Sequence, residues 1–132
     1  MENQMNIGSV SVKNLIASLP KTIRIGQQNK HIVDTHEYEQ YVIKQSRKGQ
    51  YGPSRLHGGL DFAQILVDKY SGTGIPRLKN GRWLNYEVIE TEEIVGTVVN
   101  NLTGAEQLTT RIKIHYSKEG THVVPHYKNE RG

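Results

Sequence analysis

The residues best suited to chemistry lie near the C-terminus, in Arg111-Ile112-Lys113-Ile114-His115-Tyr116-Ser117 and the segment that follows it, Thr121-His122-Val123-Val124-Pro125. Alternation along the first segment puts Ile112, Ile114 and Tyr116 on one face of a strand and Arg111, Lys113, His115 and Ser117 on the other. Lys118-Glu119-Gly120 between them is turn chemistry, so the two segments are expected to pair as a hairpin. With a two-residue turn at Glu119-Gly120, Ser117 lies across from His122 and Tyr116 faces Val123. With a three-residue turn and Gly120 in a left-handed bulge, Ser117 opposes Thr121. The first register groups apolar with apolar and is preferred. In either, two histidines, a serine, a threonine and several cations share a few residues of hairpin. That set suits phosphodiester cleavage of RNA without metal. A base removes the 2′-hydroxyl proton, an acid protonates the leaving 5′-oxygen, and cationic or hydroxyl donors hold the charge that develops on phosphorus. An exposed polar sheet face with no catalytic role fits the same pattern.

A second candidate is Asn29-Lys30-His31-Ile32, which precedes a predicted helix N-terminus. Free backbone N–H groups and the helix dipole welcome an anion at such a place; histidine exchanges a proton near neutral pH, and lysine stabilises negative charge. A solvated polar turn is the plainer reading. Two other chemistries find less support. His31 and His36 are five apart and His122 and His126 four apart, but the second pair falls in a β-branched run where rings at that spacing lie too far apart to chelate easily, and His-Glu-x-x-His and Asp-x-Asp patterns are absent. No metal or cofactor is therefore expected. Ser71-Gly72-Thr73-Gly74-Ile75-Pro76 has half of a dinucleotide fingerprint, yet it follows a predicted helix instead of opening one, and it reads as a helix stop and turn.

The elements that must position these residues are those of one small domain. The 132 residues are 35% hydrophobic, carry a formal net charge of +4, and include seven tyrosines against one phenylalanine and one tryptophan. The charge is compatible with a phosphate-bearing partner. Absence of cysteine excludes disulfides, thiolate metal sites and a cysteine nucleophile. No apolar run approaches the roughly 18 residues of a membrane span, so no membrane insertion is expected, and the N-terminus lacks the pattern of a signal peptide.

Residues 1–8 read as a loose leader. Ser11 is expected to cap a short helix carrying Leu15, Ile16 and Leu19 and ended by Pro20, and residues 21–25 to form a short strand stopping at Gly26. Asp34 or Thr35 is positioned to cap a helix with Tyr38, Tyr41, Val42 and Gln45 at helical spacing and Gly49 beyond its end. Residues 50–59 read as a loop, residues 60–70 as a helix, and 71–82 as a further loop. After Trp83 the period changes to two, with β-rich runs at Glu87–Glu90, Ile94–Asn100, Gln107–Tyr116 and Thr121–Pro125. Helices followed by a four-strand meander predict an α+β fold, with N-terminal helices packed on a four-stranded antiparallel sheet.

Three blocks in order, Gly26-Gln27-Gln28-Asn29-Lys30-His31-Ile32, Tyr70-Ser71-Gly72-Thr73-Gly74 and Ile114-His115-Tyr116-Ser117-Lys118-Glu119-Gly120-Thr121-His122-Val123-Val124-Pro125, resemble the polymorphic toxin type 50 family over roughly residues 23–126. Domains of that family occur at the C-termini of bacterial toxins and phage head-morphogenesis proteins, within the barnase–EndoU–colicin–RelE group of ribonuclease folds. With the leader and short helix read from the residues over 1–22, the resemblance implies a ribonuclease-like toxin domain over 23–132. It further implies an endoribonuclease acting on RNA in the bacterial cytoplasm, delivered by secretion or a phage particle and restrained by an immunity or antitoxin protein. The expected catalytic residues are His31 and His122 as the proton-transfer pair, with His115, and Ser117 or Thr121 as an orienting donor. Lys30, Lys118, Arg55, Lys113 and Tyr116 are the expected substrate-binding residues. The alternative is a non-catalytic phage structural or RNA-binding module that has kept the fold.

Overall fold

The computed structural model describes residues 9–127; the leader expected over 1–8 lies outside them. In chain order the elements are α1 (Ser9–Ser18), α2 (Ile25–Asn29), α3 (His36–Arg47), β1 (Arg55–Leu56), α4 (Leu60–Tyr70), β2 (Ile75–Lys79), β3 (Arg82–Glu90), β4 (Gly96–Val99), β5 (Glu106–Thr109), β6 (Arg111–Ser117) and β7 (Gly120–His126). They build two antiparallel sheets, one ordered β2-β3-β6-β7 and a smaller one ordered β1-β4-β5. The α+β architecture with a four-stranded antiparallel sheet is as expected, but the four strands are not the four β-rich runs in sequence. β2 lies inside the segment read as a loop, and the run 107–116 breaks at Thr110 into β5 and β6, which belong to different sheets.

Alternation along β6 decides which face of the larger sheet is core. Ile112, Ile114 and Tyr116 are buried, and they join Val12 and Ile16 of α1, Ala63, Leu66 and Val67 of α4, Ile89 of β3 and Val123 of β7 in one apolar cluster. α1 contributes its i and i+4 positions, and the Lys21 ammonium donates to the terminal carbonyls of Ile16 and Leu19 at 2.6 Å each, which satisfies the helix end before Pro20. Thr35 caps α3 by accepting from the Tyr38 N–H at 3.1 Å. α3 has no buried residue and rests at the margin of the molecule. Glycine is required where the two sheets meet: a Cβ on Gly96 would lie 2.6 Å from the Pro125 ring and 2.7 Å from the Arg55 carbonyl oxygen.

Residues 21–25 do not form a full strand. Ile23 makes a single parallel bridge to Thr121, with the Arg24 N–H donating to the Thr121 carbonyl at 2.7 Å and the Thr121 N–H to the Thr22 carbonyl at 2.9 Å. The chain then turns directly into α2 at Ile25. This contact needs Gly120, whose φ of 134° and 2.5 Å approach of a would-be Cβ to the Thr22 oxygen leave no room for a side chain.

Candidate active site

The hairpin register is neither of the two considered from sequence. Ser117 pairs with Gly120 around a turn at Lys118-Glu119, so Tyr116 opposes Thr121 and His115 lies directly across from His122. β3 pairs with β6 so that Tyr86 opposes His115. Cross-strand neighbours on one sheet face bring their side chains together, and three rings therefore line up across the sheet. The His115 and His122 imidazoles stack with centroids 4.7 Å apart, and Tyr86 packs at 5.0 Å on the other side of His115. His31 extends the row, its ring parallel to that of His122 at 6.4 Å, and Tyr41 meets His31 edge-on at 6.0 Å.

What brings His31 to His122 across most of the chain is Gln28. β7 is an edge strand, and its outward N–H and C=O groups need partners. The fully buried Gln28 amide supplies them at Val123, donating to its carbonyl at 2.9 Å and accepting from its N–H at 2.6 Å. α2 is thereby clamped to the β7 edge, and the turn after it delivers Lys30 and His31 beside His122. The His31 carbonyl accepts from the Leu56 N–H at 2.8 Å, and its ring Nδ1 lies 2.8 Å from the Ser54 carbonyl oxygen. A carbonyl only accepts, so the neutral ring carries its proton on Nδ1, and Nε2 keeps a lone pair.

The helix-terminus argument for anion binding at Lys30-His31 does not hold in the structure. These residues follow the end of α2 and precede α3 by several residues, and the N–H groups of Lys30, His31 and Ile32 are already bonded to the carbonyls of Gln27, Gln28 and Asn29. Positive charge here comes from side chains alone. The Lys30 ammonium sits 5.8 Å from the centroid of the Tyr41 ring, and Lys113 sits 5.0 Å from that of Tyr86.

Burial first, and then neighbouring positive charge from lysines and from the other rings, shapes the titration of the row. Burial pushes the His115 imidazole down to about 4, with Lys113 and His31 adding to the effect. His122 is pushed to about 3 by burial, then by His115, His31, Lys30 and Arg24. His31 is also lowered, chiefly by burial, against the opposing pull of the Ser54 carbonyl. The unfolded chain takes up protons at each of these positions near pH 6.5, and the folded chain resists doing so. The row thus costs no stability above pH 6.5 and progressively more as pH falls from there toward 4. The unfolding free energy from urea titration should decline between pH 7 and 5 with a slope of up to about 1.4 kcal/mol per pH unit per ring. His122→Asn should flatten that decline by one ring's share.

Other expected site residues lie elsewhere. Ser117 fastens the turn, its hydroxyl donating to the Gly120 carbonyl and accepting from the Glu119 N–H. Thr121 is fully buried in the joint with residues 21–24, its hydroxyl 3.3 Å from the Lys21 carbonyl. Tyr116 is on the opposite, core face of β6, bonded through its hydroxyl to Glu87 and Ser71. Arg55 makes a two-pronged contact with Glu106 at 2.8 and 3.2 Å in the smaller sheet. Lys118 is exposed at the turn, two pairs beyond His115 and His122. Tyr86, Tyr41, Arg24 and Gln28 were not anticipated. The Gly26–Ile32 block contained Gln28, but a buried amide clamping a strand edge has no sequence signature. Among the described residues no group of three or more histidines and carboxylates is placed to hold a metal ion, and no helix is long and apolar enough to cross a membrane.

A cleft of about 380 Å³ opens beside the row, with His31, Lys113, Tyr41, Tyr51, His126 and Tyr127 among its walls. No curated protein and no solved structure matches the chain. A family model described as bacterial toxin 50 matches residues 23–125, from the bridge at Ile23 through the last site strand. That span contains the whole histidine row and the α2 clamp that assembles it, and the chain belongs to the bacterial toxin 50 family.

Proposed function

We propose that this toxin domain is a metal-independent endoribonuclease that cleaves RNA by acid–base transesterification. The observation that carries the reading is the row His115–His122–His31, three parallel imidazoles fringed by Lys30, Lys113 and Arg24, with His31 and Lys113 also lining a cleft. His31 acts as the base: its Nε2 lone pair accepts the 2′-hydroxyl proton while the Ser54 carbonyl holds the ring in place. The 2′-oxygen attacks phosphorus, the bond to the 5′-oxygen breaks, and a proton from His122, with His115 stacked behind it, goes to the leaving oxygen. The lysines oppose the negative charge that grows on the phosphoryl oxygens. Ser117 and Thr121 serve as positioning residues that hold the hairpin and the α2 joint. RNA in the bacterial cytoplasm is the target, and an inhibitor protein covers the site in the producing cell.

The test is incubation of purified protein with total RNA in EDTA. Fragments bearing 2′,3′-cyclic phosphate and 5′-hydroxyl ends are expected, and a 2′-deoxy substitution at the cleaved position should block the cut. RNA left intact at stoichiometric protein, with salt-dependent binding and no turnover, would replace this reading with that of a non-catalytic RNA-binding module.

A further inference from the structure

The cleft has a structure of its own beyond the histidine row. Its wall includes His31 and Lys113, which belong to the row and its fringe. Four further aromatic rings line it: Tyr41 from α3, which meets His31 edge-on, Tyr51 from the loop after that helix, and His126 and Tyr127 at the end of β7. Gln45 and Asn101 are also part of the lining, and among the described residues no carboxylate is. Tyr51 is 53% exposed and Tyr127 38% exposed, large faces left open to solvent. Tyr51 is nonetheless held. Its N–H donates to the Asn101 carbonyl at 2.9 Å, its carbonyl accepts from the Gln45 amide at 3.3 Å, and its ring lies over Gly104, where an added Cβ would come within 3.0 Å.

Open aromatic faces, amides able both to donate and to accept, and a cation in the same lining as an imidazole of the row are the parts that recognise a nucleotide. The rings stack on a base, the amides meet its edge, and the lysine takes the phosphate. The volume, about 380 Å³, is in the lower part of the ~300–1,000 Å³ range of small-ligand sites. We propose that this cleft seats one unpaired nucleobase next to the phosphate held at the histidine row, so that the substrate is single-stranded RNA. The proposal rests on the ribonuclease reading above. A base locked in an A-form duplex presents neither its face nor its pairing edge to such a cleft, whereas a looped-out base presents both.

The test has a binding arm and a cleavage arm. Nucleoside 3′-monophosphates and base-free ribose 5-phosphate are titrated into the wild type, Tyr51→Ala, Tyr51→Phe and Tyr127→Ala, with amide chemical shifts as readout. Tyr51→Ala should weaken mononucleotide binding roughly tenfold or more and leave ribose phosphate binding unchanged, while Tyr51→Phe, which keeps the stacking face, stays near the wild type. Tyr127→Ala should weaken nucleotide binding in the same selective way. In the cleavage arm, a hairpin RNA carrying one sequence in both loop and stem should be cut in the loop. Ribose phosphate binding as tightly as the nucleotides, or Tyr51→Ala binding them like the wild type, would overturn the base seat. The two readings fail separately. Tyr51-dependent nucleotide binding by a protein that cuts no RNA removes the catalysis and keeps the seat. Equal cutting of loop and stem, indifferent to Tyr51→Ala, removes the seat and keeps the catalysis.

Discussion

Replacing His122 with alanine should lower kcat/KM for RNA cleavage by about 10²–10⁴ while the fold is retained. The ring is half-buried on the site face of β7, and it is a neighbour of His115 and His31 rather than of the core. Its removal takes away a ring that burial keeps from protonating while the unfolded chain takes up the proton, so the urea midpoint at pH 5 should rise or hold. The loss therefore belongs to chemistry, and circular dichroism with urea unfolding separates it from misfolding. His31→Ala should cost a similar factor, and the double variant little more than either alone, because residues that act as a unit are not additive. The pH profile gives a second readout. With His115 near 4 and His122 near 3 in the free protein, the group that must be protonated is scarce at neutral pH, and kcat/KM should rise on the acid side. Bound phosphate opposes the cations that depress these rings, so the kcat optimum should lie at higher pH than that of kcat/KM. Wild-type cleavage by His122→Ala would remove the ring from the mechanism.

The difference between what was legible in the chain and what was not follows the range of the forces involved. Local periodicity marked α1, α3 and α4, the apolar face of β6 and the Thr35 cap, because each depends on neighbours within a few residues. The separation of Lys113 and His115 from Tyr116 onto opposite faces followed from alternation alone. Register did not: moving the turn to Lys118-Glu119 converts a preferred Ser117–His122 pair into His115–His122, and turn position is decided by the Thr22–Gly120–Thr121 joint, some 100 residues away in sequence. The link from His31 to His122 likewise depends on one buried amide, that of Gln28. Strand β2 was hidden for another reason. Pro76 and the charged Arg77 and Lys79 obscure its alternation, and as an edge strand it tolerates a proline that a central strand would not.

Glu87→Ala should be the most destabilising single change away from the site, at about 3–5 kcal/mol, because several neutral donors lose one shared buried acceptor together. Glutamate is almost never fully buried without partners, yet Glu87 is 0% exposed. Its carboxylate accepts from the N–H groups of Gly72 and Gly74 at 2.8 Å each and from the Tyr116 hydroxyl. The Ser-Gly-Thr-Gly turn, whose glycines suggested and then failed a phosphate-loop pattern, thus does cradle an anion, supplied by the chain itself. Burial and the nearby carboxylate hold the Tyr116 phenol above its ordinary range, so it remains a donor throughout the working pH range. Alanine leaves three donors unpaired at once, the buried Tyr116 hydroxyl and the part-buried N–H groups of Gly72 and Gly74, at about 1–3 kcal/mol each when fully buried, with some recovered by Ser71, whose hydroxyl is 2.6 Å from that of Tyr116. Glu87→Gln, which keeps one acceptor and turns an amide N–H₂ toward the remaining donors, should fall between the two. Glu90 of the same strand, whose exposed carboxylate meets Arg111 and the Thr110 hydroxyl at the surface, provides the surface control when changed to glutamine, at under about 1 kcal/mol. Because Tyr86 and Glu87 are adjacent on β3, with Tyr86 opposite His115 and Glu87 opposite Ile114, loosening the carboxylate cradle also loosens the strand that buttresses the imidazole row. Glu87→Ala should accordingly lose cleavage activity at urea concentrations where the wild type keeps it, and urea midpoints indistinguishable between Glu87→Ala and the wild type would show the cradle to be dispensable.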